Sequence, residues 1–378
     1  MECKFIKHGI ALSYDQVTKP CCDWQSTPEW RTTNHISRVD LSTWHASLQM
    51  QEKQFMLKNN QWPNECQLCK KSEDQNRYDS TRGNGNHAYS HYNDDDITLE
   101  IRPGSVCNFA CQTCWPEASS RVAQYHHQAG IIDIKSIDSN NIDNFDFLLP
   151  ISSRIRDVVL LGGEPFYDKS CKKFLTWAEK HLTANLVMFT NGSQIDFDFL
   201  KNYTGKLTLV FSIDAIGRPA EYVRVGTDWE QVLSNYLAVK KLSNVEVRVN
   251  ITCSVYNYAY INDVIGFLCE DWPSVVSFGV PRPSYLREGS IPNKFRPELI
   301  NSITQAIKNI QQSNIESGQK SNAVNALTSN INNLEKLDWN QQDYKQLIDF
   351  VDRMDRVKNI SVHNYCSFLS RMLIKEVA

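Results

Sequence analysis

Apolar residues in the middle of the chain fall into short runs separated by amphipathic stretches. Six runs rich in Val, Ile, Leu and Phe predict strands, at 97–103, 157–163, 185–192, 206–215, 245–255 and 275–281. Several are continuously apolar, which is typical of strands buried on both faces. Between them, segments such as 169–182 and 228–242 carry apolar residues at helical spacing. Six strand–helix units predict an α/β fold with right-handed crossovers, an open partial (β/α)6 barrel.

The segments on either side of these units have a different character. Residues 1–95 are rich in Cys, Trp, Asn and Gln and have few long apolar runs. Residues 286–378 carry apolar positions at i, i+3 and i+4, which predicts helices. We therefore expect three parts: a small Cys-rich N-terminal domain (1–95), the partial barrel (96–285) and a C-terminal helical extension (286–378).

Composition narrows the classes of function. The 378 residues carry a formal net charge of −3 at pH 7, so there is no overall basic field to attract nucleic acid. No apolar run of membrane-spanning length is present, and the first residues lack the apolar stretch of a signal peptide. We expect a cytoplasmic protein that binds neither a membrane nor nucleic acid.

Cysteine usage gives the first indication of chemistry. The chain has 12 cysteines. In a reducing compartment clustered thiols indicate a metal site or catalysis rather than disulfides. Eight cysteines form two groups, one before residue 70 and one at 107–114. The other four, Cys171, Cys253, Cys269 and Cys366, are expected to be buried core residues.

The second group follows the first predicted strand of the barrel. Cys107, Cys111 and Cys114 have the spacing C-x3-C-x2-C. Zinc normally takes four protein ligands, or three and a water molecule. Three thiolates around a four-iron, four-sulfur cluster leave one iron without a protein ligand. That iron could bind a substrate or cofactor.

Further motifs follow the next three predicted strands. Gly162-Gly163-Glu164-Pro165 follows the second strand, Thr190-Asn191-Gly192 the third and Ser212-Ile213-Asp214 the fourth. Parallel βα units place their active sites at the carboxyl ends of the strands. We therefore expect these motifs to serve one site.

In this order the motifs resemble those of the radical S-adenosylmethionine superfamily, over roughly residues 97–285. The resemblance implies that Cys107, Cys111 and Cys114 hold a 4Fe–4S cluster. S-adenosylmethionine would bind the fourth iron, and reductive cleavage would yield methionine and a 5′-deoxyadenosyl radical that abstracts hydrogen from a substrate. The expected contacts to S-adenosylmethionine are Gly162, Gly163, Glu164, Pro165, Asn191, Ser212 and Asp214, with Arg224 as a candidate partner for its carboxylate.

The loop departs from the family pattern at one position. The family usually has an aromatic residue just before the third cysteine, near the adenine. Here that position is Thr113, and the aromatic Trp115 comes after the cysteine. The departure bears on adenine packing and not on ligation of the cluster.

The N-terminal cysteines are Cys3, Cys21, Cys22, Cys66 and Cys69. With the segments CQLCKKSE (66–73) and DSTRGNGN (79–86), they resemble a subgroup with an N-terminal twitch or SPASM-like auxiliary-cluster domain. The resemblance implies a second Fe–S cluster on Cys3, Cys66, Cys69 and one of Cys21 and Cys22, with Cys21 favoured. Four thiolates could also hold zinc.

Three hypotheses follow for function. The first is a radical S-adenosylmethionine oxidoreductase or maturase that acts on a peptide or protein, with a flavodoxin- or ferredoxin-like electron donor. The second is a small-molecule enzyme of the same family, a dehydrogenase for a sugar or nucleotide-like substrate. The third is a zinc-binding interaction protein. Candidate substrate contacts at the ends of the fifth and sixth strands are Asn250, Asn257, Arg282 and Tyr285.

Overall fold

The computed structural model describes residues 1–74, 80–133 and 141–373, and only the backbone of residues 84 and 87. Asp79, part of the second N-terminal motif, lies outside the described residues. The protein is of the α/β class. Its main sheet has seven strands in the order β1-β2-β4-β5-β6-β8-β9, and a second sheet has two, β3 and β7. No helix among the described residues is long and apolar enough to cross a membrane.

Each of the six predicted strands is present in the main sheet. The strands are β1 (Gly9–Leu12), β2 (Ile97–Ile101), β3 (Ala110–Cys111), β4 (Ile155–Leu160), β5 (Asn185–Thr190), β6 (Leu207–Ser212), β7 (Arg224–Val225), β8 (Val245–Thr252) and β9 (Val275–Gly279). Burial follows the sequence pattern, since the apolar run of β6 is buried nearly throughout whereas β8 alternates buried and less buried positions. In the main sheet, β1 and β2, β2 and β4, β4 and β5, and β8 and β9 pair in parallel.

Helices connect most of these strands and make up most of the last ninety residues. They are α1 (Lys4–His8), α2 (Pro28–Thr33), α3 (Leu48–Lys58), α4 (Gln67–Asp74), α5 (Thr81–Ala88), α6 (Ser120–Gln128), α7 (Lys169–His181), α8 (Phe197–Asn202), α9 (Gly217–Val223), α10 (Trp229–Lys240), α11 (Ile261–Glu270), α12 (Arg296–Gln312), α13 (Ser317–Lys336), α14 (Gln341–Lys358) and α15 (Ser367–Met372). Side-chain caps fix several N-termini. Asp168, for example, accepts from two backbone N–H groups at the start of α7.

The described residues group into two compact units with boundaries unlike those of the three expected parts. The first unit comprises Met1–Ser105, Asp138–Met188 and Asp196–Leu207, and the second Val106–Ile137, Phe189–Ile195 and Thr208–Ala378. The sequence analysis treated residues 96–285 as one part because strand–helix alternation is continuous there.

The core of the first unit lies around β2 and β4. Leu99, Val158 and Leu160 are fully buried there, together with Phe174 of α7. β2 pairs in parallel with β4, with an irregularity beside Ile97. The N-terminal cysteines and Gly162–Pro165 belong to the same unit.

Strand β1 was not predicted. Residues 9–12 pair in parallel with residues 98–101 of β2, and all four residues of β1 are buried. A four-residue apolar segment next to a short helix has no periodicity that distinguishes a strand from a core turn. The N-terminal segment therefore supplies a strand to the main sheet, in addition to its cysteines.

The core of the second unit is formed by β8 with helices from the last third of the chain. Ile251 of β8 and Ile265 of α11 are fully buried, as are Ile303 of α12, Leu327 of α13 and Leu369 of α15. β8 pairs in parallel with β9, from Arg248 opposite Val275 onward.

Three of the four scattered cysteines are core residues, as predicted. Cys171, Cys253 and Cys366 are at most 1% exposed. Cys269 is partly exposed.

Candidate metal centres and cofactor site

The three-cysteine loop is anchored in the second unit by a two-residue antiparallel ladder. Cys111 belongs to β3 and stands opposite Arg224 of β7. The backbone N–H of Gln112 donates to the carbonyl of Val223 at 2.8 Å, which extends the ladder by one bond. Within the loop, the N–H of Cys114 donates to the carbonyl of Cys111 at 3.4 Å. The central cysteine therefore has a fixed backbone position.

The loop brings its three thiols into one small apolar patch. The patch consists of Phe109, Cys111 and Val232, with Cys107, Cys114 and Trp229 packed against them. Burial raises the pKa of the Cys114 thiol, and the nearby Cys111 and Cys107 raise that pKa further. Thiols placed in this way lose their protons together only if a cation compensates the charge. The donor set fits a thiophilic metal or an iron–sulfur cluster.

A buried ion pair lies beside this patch. Arg224 Nη1 donates to Asp214 Oδ2 at 2.8 Å, and the Asp214 side chain is completely buried. The other carboxylate oxygen accepts from the backbone N–H of Thr252 at 2.6 Å. The sequence predicts separate contacts of Asp214 and Arg224 to S-adenosylmethionine, whereas the structure pairs the two residues with each other. Ser212, the last residue of β6, is partly exposed.

The Arg224 guanidinium still has a free donor. Its Nε is buried and has no hydrogen-bond partner among the described residues. Burial alone would lower the pKa of Arg224, but Cys111 and Asp214 raise it above its ordinary value. A buried guanidinium opposite Cys111, whose Nε has no hydrogen-bond partner, suits a site that holds an anionic group, such as a thiolate-bound cluster.

Asn191 connects the third-strand motif to the same loop. Its Nδ2 donates to Asn108 Oδ1 at 2.9 Å and lies 3.8 Å from Cys107 Sγ. Asn108 Nδ2 in turn donates to Ser193 Oγ at 2.8 Å. The predicted residue Asn191 thus lies beside the first cysteine. Its hydrogen bond is accepted by Asn108, the residue after that cysteine, which was not predicted as a site residue.

Gly162, Gly163, Glu164 and Pro165 belong to the first unit. Gly162 has φ +142°, and a Cβ there would lie 2.7 Å from the carbonyl oxygen of Gly104. The Glu164 side chain is buried, and its main-chain carbonyl accepts from the N–H of Asp168 at 2.8 Å. Gly162 is required by the close approach of two backbone segments, and this part of the motif is a tight turn before α7.

Four of the five N-terminal cysteines line one cavity in the first unit. They are Cys3, Cys21, Cys66 and Cys69. Burial raises the pKa of the Cys3 thiol to about 11 and that of Cys66 to about 12, and neighbouring thiols contribute to both shifts. Burial raises the pKa of Cys21 well above its ordinary value, and the charges of Cys22, Cys3, Cys69 and Cys66 add to that effect.

Cys22 differs from Cys21. It is exposed and is not among the residues lining the cavity. The charges of Glu100, Asp23 and Arg102 act on its thiol. The structure therefore groups Cys21 with the other thiols and turns Cys22 toward β2.

The motif residues after Cys69 are joined by hydrogen bonds beside this cavity, and Thr81 is part of its lining. Arg82 Nε and Nη2 donate to the two carboxylate oxygens of Glu73 at 2.9 and 2.5 Å. Ser80 Oγ donates to Glu73 at 2.6 Å, and Thr81 Oγ1 donates to Asp23. Arg82 also lines the cavity. The bidentate pair between Arg82 and Glu73 explains why the Ser-Thr-Arg segment follows the Glu at this spacing.

Among residues 1–74, 80–133 and 141–373, no group of three or more His, Cys, Asp or Glu side chains has the arrangement of a site for one metal ion. In a cluster each thiolate binds a different iron, so the sulfurs need not converge on one point.

The four candidate substrate contacts have different surroundings. Asn257 is completely buried, and its Nδ2 donates to the carbonyl of Asp214 at 2.8 Å, so its side chain is engaged inside the second unit. Asn250 Oδ1 accepts from Ser277 Oγ at 3.0 Å. Tyr285 packs against Phe350, with 5.2 Å between the ring centroids.

Thr113 and Trp115 differ in their exposure. Thr113, where an aromatic residue was expected, is buried. Trp115 is partly exposed, and the guanidinium of Arg282 lies 4.3 Å from the centroid of its ring. Arg282 is itself exposed. The aromatic face next to the third cysteine is thus in contact with one of the candidate substrate residues.

No protein-family model matches the chain, and no curated protein matches it. Similar solved structures include native anSMEcpe with bound AdoMet, at 20% identity and a TM-score of 0.42 over 55% of this chain and 59% of that one. Streptococcus suis SuiB bound to the precursor peptide SuiA matches at 15% identity with a TM-score of 0.38, over 58% of this chain and 48% of that one. TYW1 with a lysine-pyruvate adduct bound matches at 13% identity with a TM-score of 0.38, over 72% of this chain and 93% of that one. The chain thus spans less than two thirds of the first two.

Proposed function

We propose that the protein is a radical S-adenosylmethionine enzyme with a second Fe–S cluster in its N-terminal region. The observation that carries the proposal is the loop Cys107–Cys114, which gathers three thiols in one apolar patch beside a buried cation. Support also comes from the ordered sequence motifs that follow the first four predicted strands. When bound, the cluster supplies the electron that cleaves S-adenosylmethionine.

The residues around the loop have separate tasks in this proposal. Cys107, Cys111 and Cys114 hold the cluster. Phe109 and Val232 are almost fully buried and exclude water from the thiols. Arg224 presents its free Nε as a donor to the anionic group, while Asp214 orients the guanidinium. By the sequence resemblance we assign Gly162–Pro165, Asn191 and Ser212 to S-adenosylmethionine.

The N-terminal thiols would hold the second cluster. Cys3, Cys21, Cys66 and Cys69 line one cavity, which supports this ligand set over one that includes Cys22. Such a cluster could exchange an electron with a substrate radical, or it could stabilise the N-terminal region by joining separate chain segments. A flavodoxin- or ferredoxin-like protein would supply electrons.

For the substrate we propose a peptide or protein, because the sequence resembles the subgroup whose modules commonly act on them. A sugar or nucleotide-like small molecule is the alternative within the same chemistry. Incubating the reduced enzyme with peptides encoded beside its gene, followed by mass spectrometry, separates the two. A loss of two mass units or a new crosslink in a peptide would favour the first.

The experiment that tests the family assignment is anaerobic reconstitution with iron and sulfide, followed by a 5′-deoxyadenosine assay. We expect a brown protein that forms 5′-deoxyadenosine after reduction with dithionite. Cys111→Ala should abolish product formation, because one iron loses its ligand. Cys269→Ala is the matched control, since Cys269 belongs to neither thiol group, and it should retain activity.

Two outcomes would contradict the proposal. Unchanged 5′-deoxyadenosine formation in Cys111→Ala would show that the loop does not hold the cluster. A colourless protein that binds zinc at both thiol groups would instead support the interaction-protein hypothesis.

A further inference from the structure

A buried lysine from the C-terminal part of the chain contacts the three-cysteine loop. Lys358 is the last residue of α14, and its side chain is only 8% exposed. Its Nζ donates to the carbonyl oxygen of Ala110 and to Oε1 of Gln112, both at 2.9 Å. These two residues flank Cys111, so one ammonium group bridges the loop across its central cysteine.

The backbone of the loop is thereby held on two sides. On one side Cys111 stands opposite Arg224 in the β3–β7 ladder. On the other side Lys358 Nζ binds the Ala110 carbonyl. The Asn359 residue after the lysine has φ 52° and ends α14 in the left-handed conformation, so the helix terminus at the loop is well defined.

The charge of Lys358 is not neutralised by its hydrogen-bond acceptors. Both oxygens that accept from Nζ are uncharged, whereas the Arg224 guanidinium makes a direct ion pair with Asp214. The charge of Asp355, one turn earlier on α14, acts on Lys358, but the carboxylate oxygens of Asp355 accept from the Tyr222 hydroxyl and from the backbone N–H of Val362. A buried ammonium without a direct ion pair is destabilising. Its position is explained if the loop beside it carries an anionic group in the functional protein.

We infer that Lys358 is a positioning residue for the cluster loop, and that its charge favours the reduced cluster. The inference rests on the proposed function. A positive charge close to a cluster stabilises the more negative, reduced form and so raises the reduction potential. Lys358 thus performs two tasks, which are to hold Cys111 in place and to set the ease of reduction.

Two substitutions separate the tasks. Lys358→Gln removes the charge but keeps an N–H donor on a side chain one atom shorter. Lys358→Met removes both charge and donors. Lys345→Gln is the matched control, because Lys345 lies on the same helix and is exposed. The measurements are iron content and a redox titration, followed by the EPR signal that changes when S-adenosylmethionine is added.

We expect Lys358→Gln to keep its iron and to be reduced less readily. The equilibrium constant for reduction should fall about tenfold, which is about 59 mV for one electron. Lys358→Met should show the same shift and should also lose iron faster to a chelator. Lys345→Gln should match the wild type in both measurements.

A wild-type potential in Lys358→Gln would overturn the electrostatic task, and a wild-type rate of iron loss in Lys358→Met would overturn the positioning task. If Lys358→Met does not fold, Gln112→Met replaces it, because it removes one of the two oxygens that accept from Nζ, and a wild-type rate of iron loss there would overturn the positioning task. If the wild type itself binds no cluster, the proposed function fails, and this inference fails with it.

Discussion

At the scale of single residues, the N-terminal thiols show what the sequence leaves undecided. Cys21 and Cys22 are adjacent, and the spacing of the other cysteines suits either of them. The structure separates them, because Cys21 lines the thiol cavity while Cys22 is exposed. The two residues lie in a turn, in which the N–H of Trp24 donates to the carbonyl of Cys21 at 3.3 Å, and which of them faces inward depends on packing that the sequence does not show.

This difference predicts opposite outcomes for two adjacent substitutions. Cys21→Ser should remove the second cluster and lower the iron content by about half. Cys22→Ser, its matched control, should retain all of its iron. Iron and sulfide analysis after anaerobic reconstitution checks the prediction. Equal losses from both variants, or a loss only from Cys22→Ser, would contradict the ligand set proposed here.

The pairing of Asp214 with Arg224 could not be predicted in the same way. Both residues were expected at the site, each with its own contact to S-adenosylmethionine. The residues are ten positions apart, and helix α9 lies between them. Their ion pair depends on how α9 returns the chain to the end of β6, which no local pattern specifies.

At the scale of secondary-structure elements, the apolar runs predicted the six main strands because continuous burial leaves a clear pattern. Strand β1 was missed because four residues are too few for a period. The Gly-Gly motif after β4 was recognised in the sequence as part of the cofactor site, and the structure shows why Gly162 is needed in the turn that it forms. A side chain at this position would meet the Gly104 carbonyl.

The turn gives a prediction for stability. Gly162→Ala should lower the free energy of unfolding by about 1–3 kcal/mol, because the backbone has φ +142° and the new Cβ would lie 2.7 Å from a carbonyl oxygen. Urea unfolding of the protein without metal checks this. Gly289→Ala is the control, since its Cβ would meet nothing within 4 Å, and its change should stay within about 0.5 kcal/mol. Equal effects would contradict the argument.

At the scale of the whole molecule, the sequence predicted the α/β class but not the division into two compact units. Contacts that define such units join segments far apart in the chain. Residues 1–105 share a unit with residues 138–188, and the residues after 208 share one with the cysteine loop. Alternation of strands and helices carries no information about which distant segments pack together.

Metal should matter more for the N-terminal region than for the helices after residue 296. Ligation energy becomes folding energy where the thiols join separate segments, as Cys3, Cys21 and Cys66 do. Treatment with a chelator should therefore increase tryptic cleavage within the first 74 residues several-fold. Cleavage in α12 and α13 provides the internal control and should change little. Mass spectrometry of the fragments checks this, and uniform acceleration would contradict it.

The contact between Lys358 and Ala110 also has a consequence for the order of events during synthesis. The two residues are 248 positions apart. At about 5–20 residues per second, a ribosome needs roughly 12 to 50 s to travel from one to the other. Throughout that interval the cysteine loop exists without its lysine. Iron bound by the nascent chain should therefore be lost more readily than iron bound by the finished chain.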